Sequence, residues 1–145
     1  MNELSATLRI CLANTFVMYF KAHSAHWNTE GCHFAQNHEF FGGLYEDLHG
    51  AVDPLAENLR KLDVYAPNTI EELYHFKTIQ ESGLSTDPFV VLLAYNNEVL
   101  SGLSKLFDLA TEAKEQGLAN FAADRMDQHR KHGWQLKASL KKLGE

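Results

Sequence analysis

The chain has 145 residues, 45% of them hydrophobic and 22% charged, a size that holds one buried core and leaves no room for two full domains. No apolar run approaches the ~20 residues of a membrane span, and Met1 to Thr15 lacks the basic start and long apolar stretch of an export signal, so a soluble, cytoplasmic protein is expected. A net charge of -6 disfavours a surface built to neutralise phosphates, and Cys11 and Cys32 are too few for a disulfide framework.

Apolar residues at Leu4, Leu8, Cys11, Leu12, Phe16, Tyr19, Phe20 and Trp27 follow the three-and-four spacing of one helical face. They predict a first helix from about Asn2 to Asn28, stopped by Gly31. Phe34, Phe41, Tyr45, Leu48, Val52, Leu55 and Leu59 predict a second, from Phe34 to Leu62, with Pro54 as its weak point. The pattern then breaks between Asp63 and Ser85, although Thr69 to Glu72 has the spacing of a capping box and opens a short helix through His75. Asp87 and Pro88 read as the N-cap and first residue of a helix reaching about Lys114. Gly117 is expected to separate it from a last helix carrying Leu118, Phe121, Ala122, Met126, His129, Leu136 and Leu140 inward. Four long helices with one long connection predict an all-α, ferritin-like four-helix bundle forming a single domain over residues 1–145.

Eight histidines are present, five of them (His23, His26, His33, His38 and His49) in one short stretch. Neutral imidazole is a common ligand of first-row metals, so this crowding points to a metal site. On the second helix, Asp53 and Glu57 lie about 60° and 100° around from His38, on the same side. Along the axis, however, the fifteen residues from His38 to Asp53 span about 22 Å, far beyond coordination distance. A second copy of the helix, antiparallel across a two-fold axis near Tyr45 and Glu46, would set His38 of one chain opposite Asp53 and Glu57 of the other. The first helix would add His26 at the His38 end, and isologous symmetry would create two sites per dimer. Gly42 and Gly43 lie near the proposed axis, where small residues would let two backbones approach.

The stretch from Ala25 to Arg60 contains His26-Trp27-Asn28, Gly31, Phe34, His38, Tyr45, Asp53, Ala56 and Glu57. At this spacing it resembles the Dps proteins (DNA-binding proteins from starved cells), the miniature ferritins. A weaker likeness continues through His129, Lys131, Trp134, Leu136 and Ala138. The resemblance implies a dodecameric homo-oligomer built from two-fold dimers. It implies di-iron sites in the dimer interfaces that oxidise iron(II), with hydrogen peroxide or dioxygen as oxidant, and a ferric mineral core that protects against oxidative damage. By the same resemblance His26 and His38 come from one chain, and Asp53 and Glu57 from its partner. His23 and Trp27 are candidates for supporting that site from outside the ligand set.

Three positions depart from the family pattern. Gly42 stands where an acid is often found four residues after the second histidine, and Asn120 stands where many members place an aspartate near an ion-entry pore. Met1 to Arg9 contains no lysine, unlike the basic tails of members that bind DNA. DNA binding is therefore expected to be weak or absent, and Lys131, Lys137, Lys141 and Lys142 read as a solvated helix end. The alternative is a nucleoid-binding Dps-like protein with a weak or vestigial iron site. Glu46 with His49, and Glu72 with His75, also have the Glu-x-x-His spacing of intra-subunit di-iron bundles, but the second pair falls in the connecting segment.

Overall fold

Asn2 opens the first helix, α1 (Glu3–Asn28), its side-chain oxygen accepting the Ser5 amide at 2.9 Å. The computed structural model of the protein describes residues 2–84 and 86–142. It continues with α2 (Phe34–Lys61), α3 (Ile70–His75), α4 (Pro88–Glu112) and α5 (Gln116–Leu140), with no strand among the described residues.

The ends follow local chemistry. Gly31, at φ +107°, makes the turn from α1 into α2, a conformation that costs glycine little. Asp63 and Lys114 both have φ of 61° and close α2 and α4 with the paired backbone bonds of a Schellman motif. In the second of these, the Glu115 amide donates to Ala110 at 2.9 Å and the Lys114 amide to Thr111 at 3.1 Å. The break expected at Gly117 therefore lies at Lys114 and Glu115, and Gly117 is inside α5. Thr69 caps α3 by accepting the Glu72 amide at 3.0 Å, and the Glu72 carboxylate reaches back to the Asn68 amide at 2.8 Å. Asp87 caps α4 through the Phe89 amide at 2.9 Å. Pro54 lies inside α2 without ending it, leaving the Gly50 carbonyl with no amide to accept.

Helix α1 packs against α2 and α4, α4 packs against α5, and α3 touches α1. The long connection climbs α1 from its start to its middle and beyond. Arg9 donates to the Tyr65 carbonyl at 2.7 Å, buried Asn14 accepts the Thr78 amide at 2.9 Å, and Lys21 donates to Ser82 at 3.0 Å. This crossover delivers Phe89 of α4 onto Phe40 and Phe41 near the start of α2, at ring distances of 5.9 and 4.9 Å. Helices α2 and α4 therefore run parallel, and each is antiparallel to its hairpin partner.

Leu8, Leu12, Met18, Phe41, Leu48, Leu55, Leu92, Leu103, Leu106 and Leu136 fill the core. Each fully buried side chain of this kind contributes about 1.5 to 3 kcal/mol through the hydrophobic effect. The buried face of α1 is wider than one stripe because α1 has neighbours on several sides, so Thr7, Asn14, Thr15, Val17 and Ala22 are also buried. Phe20 and Trp27, expected on that face, are instead 46% and 56% exposed, and Phe34 is also exposed. Both cysteines are free thiols: Cys32 is exposed, and burial of Cys11 pushes its thiol up to about 12. Among the described residues no helix is long and apolar enough to cross a membrane.

Candidate metal centre

The end of α1 and the start of α2 hold His26 and His38 against each other. His26 Nδ1 donates to the His38 carbonyl at 2.7 Å, and His38 Nδ1 donates to the His26 carbonyl, also at 2.7 Å. A carbonyl only accepts, so both Nδ1 atoms carry hydrogen, and in the neutral rings both Nε2 atoms keep a lone pair. The rings stack with centroids 3.7 Å apart and planes 19° apart, with Phe34 stacked beyond His38 at 5.0 Å. One reciprocal contact thus fixes tautomer and orientation together, the usual task of groups that support metal-binding histidines.

Gly42 belongs to this arrangement. A Cβ at that position would lie 3.2 Å from His26 Nδ1 and 3.3 Å from His26 Cε1. The missing side chain therefore makes room for the chain's own histidine. Gly43 has open space where its Cβ would be.

Asp53 and Glu57 are exposed one turn apart on α2. They are not brought to the histidines, and among the described residues no group of three or more His, Cys, Asp or Glu side chains is placed to hold a metal ion within one chain. Glu46 and His49, and Glu72 and His75, are all exposed, the first pair on α2 and the second on α3.

An aromatic cluster flanks His26. The Tyr19 hydroxyl lies 2.9 Å from His23 Nδ1, and the His23 ring stacks on Tyr45 at 3.9 Å and 7°. His23 also lies 4.1 Å from Trp27 by ring centroid, and Tyr45 meets His26 edge-on at 5.2 Å. Desolvation among these rings, together with the nearby His26 and His49, lowers the His23 pKa below its ordinary value.

On the opposite side of α2, Asp47 reaches across to α5. It accepts Arg125 through both carboxylate oxygens at 3.1 and 3.0 Å and the His132 Nε2 at 2.6 Å. Buried His129 continues the chain: Nδ1 donates to Asn96 Oδ1 at 2.8 Å, Asn96 Nδ2 donates to the His129 carbonyl at 2.9 Å, and Arg125 donates to His129 Nε2 at 3.3 Å. Burial opposes ionisation of Asp47, but the hydrogen bonds from His132 and Arg125 and the Arg125 charge hold it well below the carboxylate range. Burial, aided by the charges of Arg125 and His132 and partly offset by Asp47, lowers His129 to about 3 and keeps it neutral. Sequence reasoning placed His129 inward but missed Asp47 and His132. The spacing of Arg125, His129, His132 and Leu136 along one face of α5 was the available signal.

Fold and site now meet known proteins. The profile described as Ferritin-like domain matches residues 6–145, so the chain belongs to the ferritin-like family. General stress protein 20U of Bacillus subtilis is 31% identical over 132 residues, covering 89% of this chain and 91% of that one. The DNA protection during starvation protein of Brevibacillus brevis is 30% identical over 132 residues, covering 89% of each. A crystal structure of the Dps protein of Vibrio cholerae O1, described as a member of a broad superfamily of ferritin-like diiron-carboxylate proteins, superposes with a TM-score of 0.90. It is 27% identical, and the match covers 96% of this chain and 89% of that one. Within the ferritin-like class, this is a Dps-family protein.

Proposed function

We propose that the protein oxidises iron(II) at sites shared between two copies and stores the ferric product inside a hollow homo-oligomeric shell. Hydrogen peroxide is the preferred oxidant, dodecamer the assembly and cytoplasm the location. The observation that carries this reading is the interlock of His26 and His38, which leaves both Nε2 lone pairs available while every Nδ1 is engaged. Asp53 and Glu57 supply the complementary half. Two like charges one turn apart destabilise a helix mildly unless a cation or partner lies between them. An antiparallel partner helix brings them to the histidines of the other chain, as the ~22 Å offset along α2 requires.

The ligand types suit the substrate. Imidazole favours first-row metals over calcium or magnesium, and carboxylates stabilise the ferric product more than the ferrous ion. Glu57 would help to hold a second iron(II) where two are bound; two iron(II) ions then supply the two electrons that, with two protons from solvent, reduce one peroxide to two waters. Removing iron(II) and peroxide together suppresses the hydroxyl radicals that the pair otherwise generates, which is the protective consequence.

Native mass measurement combined with iron uptake tests the proposal. A particle near twelve chains that consumes iron(II) on peroxide addition and retains the ferric product supports it. A stable monomer that oxidises iron at full rate overturns the shared site.

A further inference from the structure

We propose that His49 is a further ligand of the shared iron site, supplied by the same chain as Asp53 and Glu57 and meeting His26 and His38 of the other. This rests on the iron-oxidation reading above and adds a residue to its ligand set. His49, Asp53 and Glu57 follow one another at four-residue intervals on α2, and all three are exposed. At 100° per residue they lie about 20°, 60° and 100° around the helix from His38, so they open on the one face that an antiparallel partner helix would cover. The His49 ring leans on Tyr19 of α1, with centroids 4.9 Å apart, much as the His38 ring leans on His26. Neither ring nitrogen of His49 has a hydrogen-bond partner among the described residues, so both are left for a ligand.

The register of the dimer decides what His49 meets. An axis between Tyr45 and Glu46 that sets His38 opposite the partner's Asp53 also sets Gly42 opposite the partner's His49, because the two members of each pair are equally far from it. Gly42 offers no side chain at that place, and the His26 ring lies against it, with Nδ1 and Cε1 3.2 and 3.3 Å from the position of a Cβ. His26 also stacks on His38 at 3.7 Å, so its ring occupies the level of α2 between His38 and Gly42. On the partner helix that level lies between Asp53 and His49, one turn and about 6 Å apart along the helix. This is the spacing at which two side chains on one helical face hold a single metal ion. A third imidazole raises the share of nitrogen among the donors and with it the preference for the later first-row divalent ions, which makes cobalt(II) a probe of the site that needs no oxidation.

The test titrates the assembled protein with cobalt(II) in the absence of oxidant and follows the visible absorbance of the bound ion, which gives the number and affinity of the tight sites. His49→Phe keeps a ring against Tyr19 but has no nitrogen in it, and should bind cobalt(II) about tenfold or more weakly at every site. His49→Ala, carried in parallel, should do the same, and native mass shows that each variant still assembles. Mixed dimers then assign the chain. His49→Phe co-assembled with His38→Ala should regain one wild-type cobalt(II) site per mixed dimer, which takes His38 from the first chain and His49 from the second. Co-assembled with Asp53→Ala it should regain none, since every site then lacks either His49 or Asp53. Recovery with Asp53→Ala and not with His38→Ala would place His49 beside its own chain's histidines and overturn the proposal, as would cobalt(II) affinity unchanged in both His49 variants. Either result leaves the shared site standing where His38→Ala mixed with Asp53→Ala regains one site per mixed dimer. Failure of that pair overturns the shared site itself, and the role of His49 with it.

Discussion

His26 and His38 each donate their Nδ1 hydrogen to the backbone carbonyl of the other, at 2.7 Å in both directions. The contact joins the end of α1 to the start of α2 and engages Nδ1 of both rings while leaving Nε2 out of it, so the structural role and the proposed ligand role are separable by atom. In His38→Asn the amide nitrogen takes the place of Nδ1 and nothing replaces Nε2. Thermal unfolding of this variant should stay within about 1 kcal/mol of wild type, the net worth of one hydrogen bond, while rapid iron(II) oxidation is lost. His38→Ala should lose both.

Gly42 sets how close the His26 ring comes to α2. Gly42→Ala gains about 1 kcal/mol in helix propensity, but its Cβ meets His26 at 3.2 Å and displaces the ring by a few tenths of an ångström. Net stability should change little, and iron(II) oxidation, followed by absorbance of the ferric product, should slow several-fold. Gly42→Asp, although it installs the acid common in the family, should slow it further. A faster Gly42→Asp variant would show that the ring tolerates the carboxylate.

The network across the seam between α2 and α5 predicts acid lability. Neutral His129 has a folded pKa of about 3, below the ordinary value of 6.5. The unfolded chain therefore binds a proton that the folded chain refuses as pH falls below 6.5. Stability should decline by about 1.4 kcal/mol per pH unit from this residue alone. Asp47, held below its ordinary 3.8, adds a loss in the same direction near and below that value. Urea unfolding at pH 7, 5 and 4 measures the slope, which should flatten above pH 5 in His129→Gln. Equal stability at all three would contradict the assignment.

Removing Asp47 leaves Arg125, only 12% exposed, and His132, 5% exposed, without their acceptor. Asp47→Ala should cost about 2 to 4 kcal/mol, at or below the range for breaking a buried pair because the Asp47 side chain is 28% exposed and partly screened. Chemical denaturation gives the value; a loss under about 0.5 kcal/mol would mean the pair is no stronger than a surface ion pair.

The helices were legible because apolar periodicity and capping residues agree, as at Asn2, Thr69 and Asp87. Burial around α1 was less so. Phe20 and Trp27 share the hydrophobic letters of a core face, and periodicity does not distinguish a buried core from a surface that remains exposed on one chain. The separation of α4 from α5 was misplaced at Gly117 because the Schellman closure uses Lys114 in a conformation that glycine usually occupies. Asp47, Asn96 and His132 sit on three different helices, so only folding makes them neighbours. The same holds for Gly42 and His26, whose close approach within one chain gives the glycine a structural reason.

DNA binding should be weak. With a net charge of -6, few phosphates can be neutralised at once, and counterion release supplies most non-specific affinity. A gel-shift titration at ~0.15 M salt should show no retardation at micromolar protein. Tight retardation would favour the nucleoid-binding alternative.

Mixing two inactive variants tests the shared site most directly. His38→Ala and Asp53→Ala should each abolish rapid iron(II) oxidation, since each removes a ligand from every site of a uniform particle. In a mixed dimer one site carries both changes, whereas the other takes His38 from one chain and Asp53 from its partner. Co-assembled particles, checked for mixed dimers by native mass, should therefore recover activity at about half the sites of each mixed dimer. Activity no higher than that of either parent would contradict the account, because the histidines and carboxylates would then not belong to two chains.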